Sequence, residues 1–303
     1  MADYKITKLY YSRKTEIKNL CIEIFILAYL LVSHSRTIIN KIINKYNRPD
    51  NDADSIMVLG TGPSLSKTIK KLVKSKNKYT LMAVNNFPLS EHFSTLKPSY
   101  LCFIDSMYWV DINKLDPSVS KKVEKVYKNL DYVDWKMTLF VPTEAKSSLL
   151  KRLKNTNLIV KYIRCPRYDF DSTTVASWSL YLGILPPRVN VAVTAIYLAT
   201  NLGYKKIKVA GVDMDRIKDL QVDQESNETG TQVDYFYKNE EKPFLAVHKL
   251  KDQKGLPVHI RLMRESSTFK WFSLVNSYST SKSVNLCNAS EYSFIDSMER
   301  CKF

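Results

Sequence analysis

The chain has 303 residues, of which 45% are hydrophobic and 25% charged, a composition that provides a sizeable core and excludes a disordered protein. No apolar run reaches the roughly 20 residues of a membrane-spanning helix, which excludes an ordinary multi-span membrane protein. The 46 Lys and Arg residues outnumber the 30 Asp and Glu residues and give a net charge of +16. This charge favours a polyanionic partner: nucleic acid, an anionic membrane surface or a phosphorylated substrate.

The N-terminal 50 residues differ in character from the rest of the chain. Residues 19–33 form a short apolar run that Glu23 interrupts, and nine basic residues against four acidic ones lie in residues 1–50. The run is too short to span about 30 Å of hydrocarbon comfortably. It predicts a helix that lies in the membrane interface, so that residues 1–50 bind an anionic membrane surface. The alternative is a helix that packs on the protein's own core or in an oligomer interface.

A second domain follows, with a lid at about residues 215–260. Short apolar runs predict strands at residues 55–59, 79–84, 100–104, 137–141, 158–163, 206–210 and 283–286. Helical spacing predicts helices at residues 64–76, 191–201 and 268–278. Strands that alternate with helices indicate an α/β fold with a doubly wound, mostly parallel sheet.

The cysteines and histidines give no sign of a metal or disulfide framework. The five cysteines are scattered, odd in number and never spaced as C-x-x-C, which argues against disulfides and suits a reducing compartment. The four histidines are too dispersed for a zinc cluster.

Polar residues follow several of the predicted strands, where a doubly wound sheet binds its ligands. They lie at residues 60–64 (Gly-Thr-Gly-Pro-Ser), 85–86, 105–106 and 211–215. The first segment is neither a dinucleotide fingerprint nor a P-loop. Its two glycines let backbone N–H groups approach an anion beside a helix N-terminus. A tight turn without a ligand explains them equally well.

Longer stretches resemble a known family. V-L-G-T-G-P-S-L, A-V-N-N-F, F-I-D-S and the block P-R-V-N-V-A-V-T-A-I-Y-L-A-T-N-L-G-Y-K-K-I-K-V-A-G-V-D resemble the bacterial lipooligosaccharide sialyltransferases, CMP-sialic acid enzymes of α2,3/α2,8 type. The resemblance implies a Rossmann-like, GT-A-like variant fold and an inverting glycosyltransferase that extends a cell-surface glycan. It implies a peripheral protein on the cytoplasmic face of a bacterial inner membrane, involved in lipopolysaccharide, lipooligosaccharide or capsule synthesis.

The partners that this resemblance implies are a CMP-sugar donor and a glycan or glycolipid acceptor, with no metal and no further cofactor. A homo-oligomer is compatible with it. Because no RNA- or DNA-binding motif occurs, nucleic acid is not an expected partner.

The resemblance also assigns donor-binding residues. Residues Gly60, Thr61, Gly62 and Ser64 would cradle the CMP phosphate and ribose. Asn85 would bind the nucleotide, and Asp105 stands where the family has an Asn that contacts the nucleotide-sugar. Asp213, which follows the predicted strand at residues 206–210, is a further donor-binding candidate. Asn190 is the polar residue that remains where the family has Thr-Ser-Gly, a departure that leaves the identity of the sugar open.

Catalytic residues are implied in the same way. Arg188 would lie beneath the sugar, and Tyr235 and Tyr237 are candidates for hydrogen bonding to the leaving phosphate. A His general base would take the proton from the acceptor hydroxyl, and its ordinary pKa near neutrality suits that role. His259 matches the family position best, and His248 is the rival.

Two other functions stay open at this stage. Asp213 and Asp215 form a D-x-D, which in many sugar-nucleotide transferases holds a divalent ion on a diphosphate. Asp213 would alternatively only organise the strand end. A non-catalytic protein that binds membranes or nucleic acid through its charge is the third hypothesis.

Overall fold

The computed structural model describes residues 13–34, 54–74, 79–231 and 255–303. At its centre lies an eight-stranded sheet in the order β11-β10-β6-β1-β2-β3-β4-β5, and every neighbouring pair is parallel. The strands are β1 Ser55–Leu59, β2 Thr80–Val84, β3 Tyr100–Cys102, β4 Met137–Pro142, β5 Leu158–Ile163, β6 Lys206–Ala210, β10 Asn285–Asn288 and β11 Glu299–Arg300. The predicted α/β class is therefore confirmed.

Helices cover both faces of the sheet, as the doubly wound prediction requires. The helices are α1 Arg13–His34, α2 Leu65–Lys74, α3 Phe93–Leu96, α4 Pro117–Asp131, α5 Lys146–Arg152, α6 Thr173–Tyr181, α7 Val191–Asn201 and α8 Val258–Ser281. The apolar side chains of α2, α3 and α4 share one buried cluster, and those of α6, α7 and α8 belong to a second cluster on the opposite face. The chain changes face between β5 and β6.

The strand order places a topological switch point between β1 and β6. From β1 the chain proceeds outward through β2, β3, β4 and β5, then returns so that β6 pairs with the other side of β1. The connections that leave β1 and β6 go to opposite faces of the sheet. Ligands of open α/β sheets bind beside such a point, at the carboxyl ends of the strands.

Helix α1 extends the helix predicted at residues 19–33 and lies against α6. Glu23 and Leu27 are buried there, so the alternative of packing on the protein's own core describes one side of the helix. Its other side is exposed, with Phe25, Tyr29 and Val32 at the surface. Among the helices that the structure describes, none is long and apolar enough to cross a bilayer.

The region predicted as a long lid contains secondary structure at both of its ends. A short 3₁₀ helix, Arg216–Asp219, precedes the strands β7 Leu220–Val222 and β8 Glu228–Thr231, which pair antiparallel. Strand β9, Leu256–Pro257, joins β8 from the far side and leads directly into α8. Residues 232–254 lie outside the described residues.

One expectation about the cysteines is wrong. Cys287 and Cys301 form a disulfide, with 5.8 Å between their Cα atoms, while Cys21, Cys102 and Cys165 are free. The two residues meet because β10 and β11 pair in parallel, and the N–H of Cys301 donates to the carbonyl of Asn288 at 3.1 Å. Spacing along the chain gives no sign of this pairing, because it depends on which strands become neighbours.

Candidate functional site

The candidate site is the rim formed by the carboxyl ends of the parallel strands. The loops that follow β1, β2, β3, β4 and β6 all start there. Helix α7 also begins there, because it runs antiparallel to β6, the strand that comes after it in the chain. Helix α7 packs against β1, β2 and β6. Its N-terminus therefore adds a partial positive charge above these strand ends.

The loop after β1 is bonded to the loop after β6. Gly60 donates its N–H to the Ala210 carbonyl at 2.8 Å, and Gly62 donates to the Gly211 carbonyl at 2.8 Å. Ser64 donates its N–H to Asp213 Oδ2 at 2.9 Å and its hydroxyl to Asp213 Oδ1. These three amides already have acceptors and are not available to a phosphate in this arrangement.

The close approach of the two loops explains both glycines. A Cβ at Gly60 would lie 2.1 Å from the Gly211 carbonyl oxygen, and one at Gly62 would lie 2.5 Å from Asp213 Oδ2. Gly211 itself has φ +70°, and a Cβ there would lie 2.7 Å from Leu65 Cβ. The tight-turn interpretation of residues 60–64 therefore accounts for the glycines. Thr61 offers the loop's one N–H without a hydrogen bond among the residues described.

Asp213 supplies the anion at the start of α2. Its carboxylate is buried and accepts both hydrogen bonds from Ser64, in the place where the sequence predicted a ligand phosphate. Burial raises the pKa of Asp213 to about 6, against the Ser64 hydrogen bonds that favour the ionised form, and the charge of Asp215 adds to the rise. Asp213 thus organises the strand end, which is one of the two roles that the sequence left open.

The D-x-D segment does not fit a metal ion held by its two carboxylates. Both oxygens of Asp213 accept from Ser64, and Asp215 Oδ2 pairs with Lys218 Nζ at 2.6 Å. Met214 between them has φ 53°, a left-handed conformation. Within the described ranges, no three or more His, Cys, Asp or Glu side chains are grouped as metal ligands.

The end of β2 carries an asparagine in a strained conformation. Asn85 has φ 46° and donates its N–H to the Cys102 carbonyl at 3.0 Å. Its side-chain oxygen is buried and has no hydrogen-bond partner. Asn86, by contrast, is satisfied because its oxygen accepts from the Tyr108 hydroxyl at 2.7 Å. A left-handed asparagine with an unpaired buried oxygen is typical of a residue that is held for a ligand.

Asp105 follows β3 and begins the 3₁₀ helix Ser106–Tyr108. Its Oδ1 accepts from the Met107 N–H at 3.3 Å, so the side chain stabilises the turn at this strand end. The turn carries Trp109, which forms the next part of the rim.

Arg188 lies between an acid and an indole ring. Its guanidinium makes an ion pair with Glu144, just after β4, and its Cζ lies 5.8 Å from the centre of the Trp109 ring. Its Nε is buried and has no hydrogen-bond partner. Although burial opposes ionisation, a main-chain hydrogen bond and the charges of Arg188 and Arg167 lower the pKa of Glu144. Glu144 therefore stays ionised and holds Arg188 in place.

Sequence reasoning did not find Glu144 or Trp109. Glu144 follows the Pro142 end of β4 and so obeys the same strand-end rule as Asn85 and Asp105. That rule was the available signal. No sequence signal indicated that Glu144 pairs with Arg188, which lies 44 residues further along the chain.

Asn190 caps α7 at the same rim. Its Oδ1 accepts the Ala192 N–H at 2.8 Å, and its Nδ2 lies 3.3 Å from the sulfur of Met214. One turn into the helix, the hydroxyl of Thr194 is buried without a hydrogen-bond partner. Asn190 thus connects the start of α7 with the loop after β6.

His259 is the one predicted base within the described part of the chain. It is exposed in the first turn of α8, two residues before Arg261. The pKa of Arg261 is lowered by burial and, among smaller causes, by the charge of Arg216, which follows the loop after β6. The start of α8 therefore lies on the β6 side of the molecule. The other predicted catalytic residues, His248, Tyr235 and Tyr237, lie outside the described residues.

Comparison with protein families assigns the chain. Residues 30–219, more than half of its length, match the sequence model of a family described as 6-hydroxymethylpterin diphosphokinase MptE-like. The chain belongs to the MptE-like family. This family differs from the sialyltransferases that the motifs resemble. Comparison with individual curated proteins gives no match.

The MptE-like match includes the rim. The strand-end residues from Gly60 to Asp213, together with Glu144, Arg188 and Asn190, all lie within it, whereas His259 lies beyond its end. The rim therefore lies within the matched residues, and α8 with its histidine lies outside them.

Proposed function

We propose that the chain is a nucleotide-dependent transferase whose donor binds at the rim, with its phosphate at Arg188 and the start of α7 and a nucleoside hydroxyl or amino group donating to Asn85. The observation that carries this proposal is the group of buried polar atoms without partners, Asn85 Oδ1 and Arg188 Nε. Buried polar groups cost free energy unless they are paired, so such atoms are expected to meet a ligand.

We further propose a CMP-activated nonulosonic acid, most simply sialic acid, as the donor. Such a donor carries two anionic groups, the phosphate and the sugar carboxylate. The guanidinium of Arg188 and the N-terminus of α7 would receive them, with the N–H of Thr61 as a third donor. The resemblance of the block from Arg188 to Asp213 to sialyltransferases supports this choice. The acceptor would be a glycan or glycolipid hydroxyl.

The reaction would be a direct displacement that inverts the anomeric carbon. The acceptor oxygen forms a bond to that carbon as the bond to the CMP phosphate oxygen breaks, and the acceptor proton passes to the imidazole of the base. His259 is the proposed base because it is exposed at the start of α8. The guanidinium of Arg188 and the N-terminus of α7 would stabilise the departing phosphate electrostatically.

Thermal shift and transfer assays together test the proposal. CMP and CMP-sialic acid are expected to stabilise the full chain more than UDP, GDP or ATP, because a ligand that binds only the folded state raises its stability. His259→Ala should abolish transfer to a lactose-terminated acceptor and leave the CMP shift unchanged. No shift with any cytidine nucleotide would refute the proposed donor.

A second candidate follows from the family description. A 6-hydroxymethylpterin diphosphokinase moves a diphosphate from a nucleoside triphosphate to a hydroxymethyl group, which also needs a rim that binds phosphate. Incubation with ATP, Mg²⁺ and 6-hydroxymethylpterin distinguishes the two, since the diphosphokinase would release AMP. Formation of AMP that depends on the pterin, together with no effect of CMP, would favour this candidate.

A further inference from the structure

Helix α1 is attached to the rest of the molecule by a buried acid and by apolar side chains around Leu27. Glu23 is only 2% exposed, and its carboxylate accepts from the main-chain N–H groups of Asp171 and Ser172, the latter at 3.1 Å. These two amides directly precede α6, so Glu23 supplies the negative charge that the N-terminus of that helix favours. Leu27, one turn later, is also buried. The acid that interrupts the apolar run therefore helps to attach α1 to the domain.

The opposite side of α1 is exposed and mostly apolar. Phe25 is 73% exposed and Val32 76% exposed. Successive turns place further residues on the same outer stripe, namely Ile17, Cys21, Ile24, Ala28 and Tyr29. Lys18 lies on the same face, two turns before Phe25, and the stripe extends over about 23 Å at 1.5 Å per residue.

Helix α6 continues this apolar surface. Trp178, Tyr181 and Leu182 stand at i, i+3 and i+4, so they share one face of the helix, and about half of each side chain is exposed. Helices α1 and α6 pack against each other, so both exposed apolar faces belong to one pair of neighbouring helices. Lys282 Nζ lies 5.9 Å from the centre of the Tyr181 ring and adds a positive charge at the border. We call the outer residues of α1 and α6 together the apolar platform.

We propose that the apolar platform binds the surface of an anionic lipid bilayer, with α1 parallel to the membrane plane. Exposed apolar patches of this kind mark interaction sites. Aromatic rings beside lysines are typical of the level of the lipid headgroups. The nine basic residues among residues 1–50 supply attraction to anionic lipid. A second copy of the chain would instead bring another net charge of +16 to the same face.

The role of Glu23 defines the binding mode. Since its carboxylate is committed to the amides before α6, the inner side of α1 faces the domain and only the outer stripe faces lipid. The bilayer therefore contacts α1 and α6 together. This inference does not depend on which transfer reaction the rim performs.

Vesicle sedimentation with the full chain tests the proposal. The protein should sediment with vesicles of phosphatidylcholine and phosphatidylglycerol and much less with phosphatidylcholine alone, and added salt should weaken the binding. Phe25→Glu and Trp178→Glu should each reduce partitioning at least about tenfold, because a carboxylate enters the apolar layer. Tyr132→Glu is the matched control, since Tyr132 is equally exposed but follows α4 on the opposite face of the sheet.

Several outcomes would overturn the proposal. Failure of the wild-type chain to bind anionic vesicles would do so, as would equal loss of binding in Tyr132→Glu. Unchanged binding in Trp178→Glu would exclude the contribution of α6. A dimer in light scattering that Phe25→Glu converts to a monomer, without vesicle binding, would assign the platform to a second copy. Unfolding in urea checks that each variant is folded.

Discussion

The two halves of the rim differ in whether their polar groups have hydrogen-bond partners. On the β1–β6 side, the amides of Gly60, Gly62 and Ser64 are all bonded to the neighbouring loop or to Asp213. On the β2–β4 side, Asn85 and Arg188 keep buried polar atoms without partners. The first half is closed by its own hydrogen bonds, and the second half has the unpaired polar atoms on which our proposal of a ligand site rests.

A glycine-rich loop can thus look like a phosphate-binding loop although most of its N–H groups already have acceptors. The segment at residues 60–64 has the glycines of a phosphate-binding loop, yet a carboxylate of the same chain occupies the helix N-terminus. The less conspicuous residues next to it carry the unpaired atoms. A glycine motif therefore indicates that backbone comes close to something, and only the structure tells whether that is a ligand or another loop.

The largest effect on stability is expected from Gly60→Ala, which changes the closed half of the rim. Its Cβ would lie 2.1 Å from a main-chain carbonyl that cannot move without separating β1 from β6. We expect a loss of more than about 3 kcal/mol in the free energy of unfolding, or no soluble protein. Thr61→Ala in the same loop is the control and should leave urea unfolding unchanged. Equal stability of the two variants would contradict the closed-loop description.

The second effect is a pH dependence carried by Asp213. Its pKa of about 6 is above the ordinary 3.8, so between pH 4 and pH 6 the folded protein keeps a proton that the unfolded chain has released. Stability should therefore fall as pH rises through this window, by at most about 3 kcal/mol for roughly two pKa units. Urea unfolding between pH 4 and pH 8 should show this slope in the wild type. Asp213→Asn should flatten it, and an unchanged slope in the variant would assign the titration elsewhere.

The third prediction concerns the half of the rim where Asn85 and Arg188 have unpaired polar atoms. Arg188→Ala should weaken binding of the nucleotide donor about 100-fold, the loss of a charge-assisted contact of roughly 2.7 kcal/mol. Arg167→Ala is the control, because Arg167 also approaches Glu144, at 3.8 Å, but is largely exposed. We expect its effect in calorimetric titration to be below about threefold. Similar losses for both arginines would mean that Arg188 acts only through general charge.

The smallest effect is expected from Asn85→Gly. Glycine accepts φ 46° without strain, so this change removes the side chain and keeps the backbone. Nucleotide affinity should fall about tenfold while stability stays near that of the wild type. Ser283→Gly makes the same backbone change at φ 56°, before β10 and hence at the opposite edge of the sheet. It should leave affinity unchanged.

The central sheet was predictable because its strands are short apolar runs that end at glycine or polar residues. Strands β1, β5 and β6 and helix α7 have the predicted bounds. Helix α4 was missed because its exposed lysines hide a stripe of four buried residues among polar ones. The small antiparallel sheet was missed because its strands have few buried side chains, so no apolar pattern marks them.

The candidate site was predictable only one residue at a time. The strand-end rule predicted Asn85 and Asp105 at one rim, and the resemblance added Arg188 and Asn190. The structure places them near the strand ends and the start of α7. The bonds between them were not predictable. Ser64 and Asp213 are 149 residues apart, and nothing in the local sequence tells that one carboxylate will satisfy both donors of the serine.

The state of the disulfide between Cys287 and Cys301 reports the redox environment in which the chain folded. Strands β10 and β11 pair over only two residues. The disulfide between Cys287 in β10 and Cys301, directly after β11, cross-links the last strand to its neighbour. In an oxidising compartment, a thiol-blocking reagent added at lysis should label the three free cysteines of the unfolded chain, and in a reducing one all five. One mass measurement on protein from cells would thus tell whether the molecule resides in an oxidising or a reducing compartment.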